Sequence, residues 1–322
     1  MRSSLSLRAL RLGAPTTSHS VRRQLQSTLA TAHSSSPANI GRGVFASKKI
    51  SDCTLGRTAM QLSKVPSVGY IYLGANIGYC KALELQQRFV RKRIDQIYAS
   101  VQSRPKDDNR LVDVVFLLQH APVYTNGRRN HGKMTDAEIE RLLCGGQAEY
   151  VETNRGGEIT FHGPGQLVVY PVMHLRDHYL ATRCFVEGLE NTVIETCARY
   201  AVGAHRLPGF PGVWTSDTQK VAALGTRCQR YVTSHGVALN CSTDLQWFGR
   251  IIPCGLDGKT ATSLERILRN RYATAETHTS VECVLPVVLD SFATVFGCDI
   301  VPLEQLSPTT FSEIQRDLAS IE

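Results

Sequence analysis

Past Pro66 the apolar positions fall into regular patterns. Val68 to Leu73 is short and apolar enough for a strand, and Ile77, Leu83, Leu85, Phe89, Ile94, Ile97 and Val101 then recur at mostly helical intervals, with Lys, Arg and Glu between them, until Arg104-Pro105. Leu111 to Leu118 is a nearly continuous apolar run of strand length, the mark of a strand buried on both faces, and it feeds a loop from His120 to Gly127. Thr135-Asp136 opens a short helix to Leu143, and Tyr150 to Thr153 is a strand. Glu158 to Phe161 and Gln166 to Val172 are two strands joined by the turn His162-Gly-Pro-Gly165. Thr182 to Tyr200 is helical on the spacing of Phe185, Leu189, Val193, Ile194 and Ala198. Strand-like pieces follow near Gly212 to Thr215, Lys220 to Leu224 and Ser234 to Asn240, then helices near Thr262 to Leu268 and Ser280 to Val295. Strands and helices mix without strict alternation and no repeat recurs. The pattern predicts one mixed α/β domain over residues 66–300, with 301–322 as a C-terminal tail.

Composition changes this picture mainly at the N-terminus. The 322 residues are 42% hydrophobic and 20% charged, which fits a globular chain, and the richest apolar run, Val112 to Leu118, is broken by Asp113. No stretch approaches the roughly 20 apolar residues of a membrane-spanning helix. The net charge is +8, yet eight of the 36 basic residues precede the first acid, Asp52, so the remaining 28 match the 28 acidic residues. Those eight are Arg2, Arg8, Arg11, Arg22, Arg23, Arg42, Lys48 and Lys49, set among Ser, Thr and Ala and interleaved with Leu5, Leu7, Leu10, Leu12, Val21 and Leu25. Residues 1–50 read as an organelle transit peptide, the alternative being a disordered basic tail. In both cases the excess charge belongs to a leader and not to a folded face, so it supplies no argument for nucleic-acid binding.

The ten cysteines are never closer than 13 positions apart, which leaves no paired-ligand spacing for zinc and no redox dithiol. Most are expected to be reduced, buried, small hydrophobes.

Chemistry concentrates in a few segments. Arg155-Gly-Gly-Glu-Ile-Thr-Phe-His-Gly-Pro-Gly-Gln166 packs Arg, Glu, Thr and His between two glycine turns, which let a backbone bend and a ligand approach the main chain. It fits no standard phosphate loop, and a hairpin alone would not need those side chains. Pro211-Gly-Val-Trp-Thr215 and Lys220-Val-Ala-Ala-Leu-Gly225 follow, then Ser234-His-Gly-Val-Ala-Leu-Asn240, where Gly236 and Ala238 leave room beside an apolar strand. Ile251-Ile-Pro-Cys-Gly255 sets Cys254 between a rigid and a permissive residue, where a nearby ammonium would favour its thiolate.

Taken in this order, RGGEITFHGPGQLVVYPV, PGVW, KVAALG, SHGVALN and IIPCG resemble the lipoyl(octanoyl) transferases over about Val68 to Cys298. The resemblance implies the biotin/lipoate ligase-like fold, a mixed α/β domain. It implies Cys254 as the acyl-accepting nucleophile and Lys220 as the lysine that activates it. Arg155, Gly156, Gly157, Glu158, Ile159, Thr160, Phe161 and His162, with Ala223, Leu224, Gly225, Gly236, Val237 and Ala238, match the segments that line the substrate. Backbone N–H groups near Gly225 or Cys254 would hold the oxyanion. The same resemblance implies octanoyl-acyl carrier protein as donor and lipoyl-domain proteins as acceptors, among them the glycine cleavage H protein and 2-oxoacid dehydrogenase E2 subunits. It further implies no cofactor, a monomer and the mitochondrial matrix. An ATP-dependent lipoate or octanoate ligase of the same fold is the rival; it would need no cysteine at 254 and would read the basic loop Gly127-Arg-Arg-Asn-His-Gly-Lys133 as a nucleotide site, not a docking surface for an acidic carrier. A non-catalytic lipoyl-domain adaptor would need neither Cys254 nor Lys220. His174 and His178, four apart, are expected to be solvated surface histidines, not metal ligands.

Overall fold

The computed structural model describes residues 65–102, 111–251, 258–272 and 278–321. The leader, the polar segment Ser103 to Arg110 and Cys254 itself lie outside the described residues. The chain runs β1 (Ser67–Tyr72), α1 (Tyr79–Gln102), β2 (Val114–Leu118), β3 (Val123–Asn126), α2 (Asp136–Leu143), β4 (Glu149–Glu152), β5 (Thr160–His162) and β6 (Gln166–Val172). It continues through α3 (Thr182–Arg199), β7 (His205–Leu207), β8 (Phe210–Trp214), β9 (Gln219–Gln229) and β10 (Val232–Asn240). A 3-10 turn (Leu245–Arg250), β11 (Thr260–Ala261), α4 (Leu264–Arg271), α5 (Val281–Phe296), β12 (Asp299–Pro302), α6 (Leu303–Leu306) and α7 (Pro308–Ser320) complete it.

The large sheet has the order β12-β1-β2-β6-β10-β9-β8-β7, with β11 added beside β9. Strand β2 is buried at every position, and its alternation divides the core: Val115 and Leu117 face α3 and α5, while Val114, Phe116 and Leu118 face α1. Helices therefore cover both faces of a mixed sheet. A smaller sheet, β4-β3-β5, packs with α2 and the 3-10 turn around Tyr124, Leu142, Phe161 and Phe248. Thr135 caps α2 in a full capping box with Glu138, and Ser280 and Gly297 close the two ends of α5. No helix among the described residues is long and apolar enough to cross a membrane.

Three expectations change. The loop from His120 to Gly127 contains β3, which pairs with β4 and β5. The strands on either side of His162-Gly-Pro-Gly165 do not form a hairpin: β5 joins the small sheet and β6 the large one, so the tight turn moves the chain from one sheet to the other. The segment 301–322 is no tail. β12 crosses residue 300 to pair in parallel with β1, and Leu303, Ile314 and Ile321 are buried in the same core as α1, which the apolar spacing of Phe311, Ile314 and Leu318 explains.

Candidate active site

Where the small sheet meets β9 and β10 there is a cavity of about 190 Å³. Its walls include Arg155, Gly157, Glu158, Ile159, Thr160 and His162, then Lys220, Ala223, Leu224 and Gly225, then Gly236, Val237 and Ala238. Two of the expected lining residues sit elsewhere. Gly156 turns toward β9, its N–H donating to Thr226 O at 3.0 Å, and lines a neighbouring surface groove. Phe161 is fully buried, stacked on Trp247 at 5.1 Å between centroids, and serves the core beneath the cavity. Tyr170, Phe210, His235 and Asn240 also line the cavity and were not singled out. His235 and Asn240 stand inside SHGVALN, and Phe210 directly precedes PGVW, so the motifs held that signal.

The glycines of these motifs answer first to the backbone. The 155–158 loop is clasped between β9 and the turn after β3: Arg128 N–H donates to Arg155 O at 3.1 Å and Arg129 N–H to Gly157 O at 3.2 Å. A Cβ at Gly127 would lie 2.3 Å from Gly157 O. At Gly236 it would lie 2.0 Å from Val169 O, so this glycine is required by the close approach of β10 to its sheet neighbour β6 before any ligand is considered. Pairing of β10 with β6 runs from Val237 to Asn240 and is interrupted above it, where His235 takes a left-handed φ of 56°. That irregularity turns the His235 ring toward the cavity wall.

Buried polar groups converge beneath this wall. Ile77 O can only accept, so His120 Nδ1–H donates to it at 2.9 Å, and His120 Nε2 then accepts from the Tyr170 hydroxyl at 2.9 Å. Gln166 Nε2 donates to Phe161 O and to Asn240 Oδ1, which leaves Gln166 Oε1 to accept from His162 Nδ1 at 2.7 Å. His162 thus presents an unprotonated Nε2. Burial holds all three histidines neutral: it lowers His120 to about 4 and His235 to about 3, with the Arg155 charge adding to the effect at His235, and it takes His162 well below 6.5. Arg155 is itself buried and pinned, its guanidinium donating to Thr125 Oγ1, Thr125 O and Gly156 O.

Lys220 stands near the start of β9 with its ammonium 4.6 Å from the Trp214 ring centroid. The described residues on both sides of 252–257 reach the same cavity. Ile251 lines it on one side, and Thr260 and Ala261 on the other, where Thr262 N–H donates to Lys220 O at 2.8 Å. Asn240 Nδ2 donates to Thr262 O at 2.9 Å, tying β11 to β10. The arrangement supplies an amine, a buried cation, neutral imidazoles and an apolar channel. Those parts suit acyl transfer more than charge-driven binding.

His174 and His178 correct the expectation made for them: both are buried. His178 Nε2–H donates to Asp113 Oδ2 at 2.7 Å, and Arg93 and the His174 N–H also donate to Asp113. A buried carboxylate must be neutralised, and these donors come from two separate segments, α1 and the stretch after β6. Burial pushes the Asp113 carboxyl up, but the His178 hydrogen bond and the charges of His178 and Arg93 outweigh it and leave the group below its ordinary value.

The fold is that of the lipoate protein ligases. A lipoate-protein ligase A bound with ATP superposes with a TM-score of 0.52 at 9% identity, over 80% of this chain and 97% of that one. A bipartite lipoate protein ligase of Thermoplasma acidophilum gives 0.51 at 11%, over 79% and 93%. The chain belongs to the family of the lipoyl protein ligase A/B catalytic domain, whose model matches residues 80–292, and within it to the octanoyltransferases. It is 38% identical over 234 residues to a mitochondrial octanoyl-[acyl-carrier-protein]:protein N-octanoyltransferase of Danio rerio, covering 73% of this chain and 94% of the relative. The human protein of that name is 39% identical over 242 residues, 73% and 96% of the two chains. An octanoyltransferase of Acidobacterium capsulatum is 37% identical over 246 residues, 73% and 92%. The chain is accordingly an acyltransferase.

Proposed function

We propose that this chain moves an octanoyl group from octanoyl-acyl carrier protein to a lysine of a lipoyl-domain protein, through an acyl-thioester on Cys254. The single observation that carries the reading is the convergence of Lys220 and nearly all of the motif-derived lining residues on one cavity, with both flanks of the Cys254 segment beside them. Lys220 takes the Cys254 proton, the thiolate attacks the thioester carbonyl, and the carbon–sulfur bond to the carrier breaks as the new one forms. The leaving thiolate recovers the proton. The acceptor amine then attacks the acyl-enzyme, forming the amide and releasing Cys254, with Lys220 passing the amine proton to sulfur. No nucleotide enters, because the thioester is already activated.

Arg128, Arg129 and Lys133 are exposed on the turn after β3, and Arg129 stands at the cavity. We assign this turn to docking of the acidic carrier. The zebrafish and human relatives are named mitochondrial; we propose that residues 1–50 direct this chain to the matrix, where it acts as a monomer on proteins such as the H protein and E2 subunits. Intact-mass spectrometry after mixing with octanoyl-carrier and no acceptor tests the reading. The expected result is a gain of one octanoyl group, absent in Cys254→Ser. Acylation of a lipoyl domain from free octanoate with ATP and magnesium would instead identify a ligase.

A further inference from the structure

The Pro211-Gly-Val-Trp motif has no part in the chemistry above, and its geometry points to one: we infer that Trp214 is a positioning residue whose indole face holds the Lys220 ammonium at the edge of the cavity. The inference rests on Lys220 being the proton carrier proposed above.

Pairing of β8 with β9 slips by one residue at this point. Val213 faces Ala222, but Trp214 faces Lys220, so Val221 is left over as a bulge. Without the slip Trp214 would face Val221; with it, lysine and indole stand directly opposite on one face of the sheet. The lysine stem has been given space. Gly212, at φ 117°, could carry no side chain, since a Cβ would lie 2.6 Å from Ala222 O and 3.4 Å from Lys220 Cδ and Cε. The ring in turn cannot swing, because Trp214 is buried and its Nε1–H donates to Phe210 O at 3.0 Å. The strand under it is fixed from the helical layer by Glu190 of α3, whose carboxylate accepts from Gly212 N–H at 3.1 Å. At 4.6 Å from the centroid the ammonium meets the negative face of the largest aromatic quadrupole. A flexible four-carbon side chain is thereby confined to one region, which favours proton transfer to and from a reacting partner at the cavity.

Four other charged or titratable groups face this pair. Glu190 acts on Lys220 from α3. Lys259 places its ammonium 5.1 Å from the same centroid and is anchored on Asp217 O at 2.7 Å. His205 lies across from Trp214 in β7, with Asp217 4.0 Å from its ring. Lys259 also meets the indole face, beside its contacts with the Phe210 ring at 4.5 Å and with Asp217 O, so its labelling profile is read alongside that of Lys220.

The test compares Trp214→Phe, which keeps an aromatic face, with Trp214→Leu, which keeps bulk and apolarity without one. Competitive trace acetylation across pH, read residue by residue by mass spectrometry, follows Lys220 without using Cys254. We expect the Lys220 labelling midpoint to fall by roughly half a pH unit or more in Trp214→Leu, since the ammonium loses a stabilising partner, and to stay near wild type in Trp214→Phe. Single-turnover octanoyl transfer should slow about tenfold in the leucine variant with KM for the carrier unchanged, and recover in the phenylalanine variant. If Trp214→Leu does not fold, site-specific incorporation of polyfluorinated tryptophan weakens the face at constant shape and should move the midpoint the same way. A folded variant with a weakened face and the wild-type Lys220 profile overturns the inference. A shifted profile together with undiminished transfer by Lys220→Ala would leave Trp214 as the holder of Lys220 and overturn the proposed role of the lysine instead.

Discussion

Strand β2 ends in a buried polar cluster on each side, and the two clusters are built on opposite principles. At its start, Asp113 collects Arg93, His178 and the His174 N–H, while Arg93 also reaches Asp177 at 2.9 Å. At its end, His120 opens a chain of neutral partners that runs through Tyr170 to a cavity also walled by His162, His235 and Asn240, with Arg155 and Lys220 as cations. In the first cluster opposite charges meet and cancel, which holds α1 and the segment after β6 to the sheet. In the second, burial suppresses the charge of His120, His162 and His235, and the side-chain hydrogen bonds of His120 and His162 go to Ile77 O, the Tyr170 hydroxyl and Gln166 rather than to a carboxylate. Burial of a histidine therefore does not separate scaffold from site. What separates them is whether the histidine meets a carboxylate partner or only neutral groups beside open space.

The largest expected effect falls on the cavity side. Lys220→Ala should lower octanoyl transfer by roughly 10²- to 10⁴-fold, the usual worth of a general acid–base group, while the urea midpoint stays near wild type because the side chain is only half-buried. A loss of stability matching the loss of rate would break the contrast. On the sealed side the balance reverses. Asp113→Ala removes the carboxylate that His178 and Arg93 share, leaving Arg93 with Asp177, and should cost about 3–5 kcal/mol in urea unfolding, yet leave transfer per folded molecule nearly unchanged.

The sequence exposed these two regions unequally. The cavity residues cluster in short runs because a ligand-binding wall needs particular residue types at adjacent positions, so RGGEITFH, KVAALG and SHGVAL could be read as units. Asp113, in contrast, is partnered from 20 and 65 residues away, and nothing near His178 announces its carboxylate. The same limit applied to the strands. Periodicity located β5 and β6, but only the packing of Phe161 on Trp247 and Phe248 reveals that they part into different sheets. β3 was hidden because Val123 to Asn126 is four residues long and follows Pro122. The C-terminal helix is legible in the spacing of Phe311, Ile314 and Leu318, although the segment's polar composition resembles that of a tail.

Acid titration should separate the clusters next, through their pH windows. His120 and His235 have folded values lowered from 6.5 to about 4 and about 3, so the unfolded chain binds their protons first. Their contribution is fully present above pH 6.5 and is lost as pH falls toward 4, each site adding about 1.4 kcal/mol per pH unit at most. Asp113 is also lowered, but from 3.8, so its contribution persists until pH falls below that. His235→Asn, which tolerates the left-handed backbone, should reduce the slope between pH 6.5 and 4 by about one proton. An unchanged slope would mean that His235 titrates alike in both states.

The smallest effect is expected at the rim, where the cavity meets solvent. Arg128 and Arg129 hold the 155–158 loop through their backbone N–H groups, so their side chains can be reversed in charge without removing those bonds. Both side chains are exposed, and their attraction for an acidic carrier acts across water, where salt screens it over about 8–10 Å. Arg128→Glu with Arg129→Glu should therefore weaken carrier binding by slowing association, several-fold at low salt and barely at all near 0.5 M. Transfer from a small octanoyl thioester that lacks the protein should be unaffected. Stopped-flow association at several ionic strengths would measure it. Equal loss at all salt concentrations, or loss with the small thioester as well, would place these arginines in the cavity chemistry and dissolve the distinction between rim and wall.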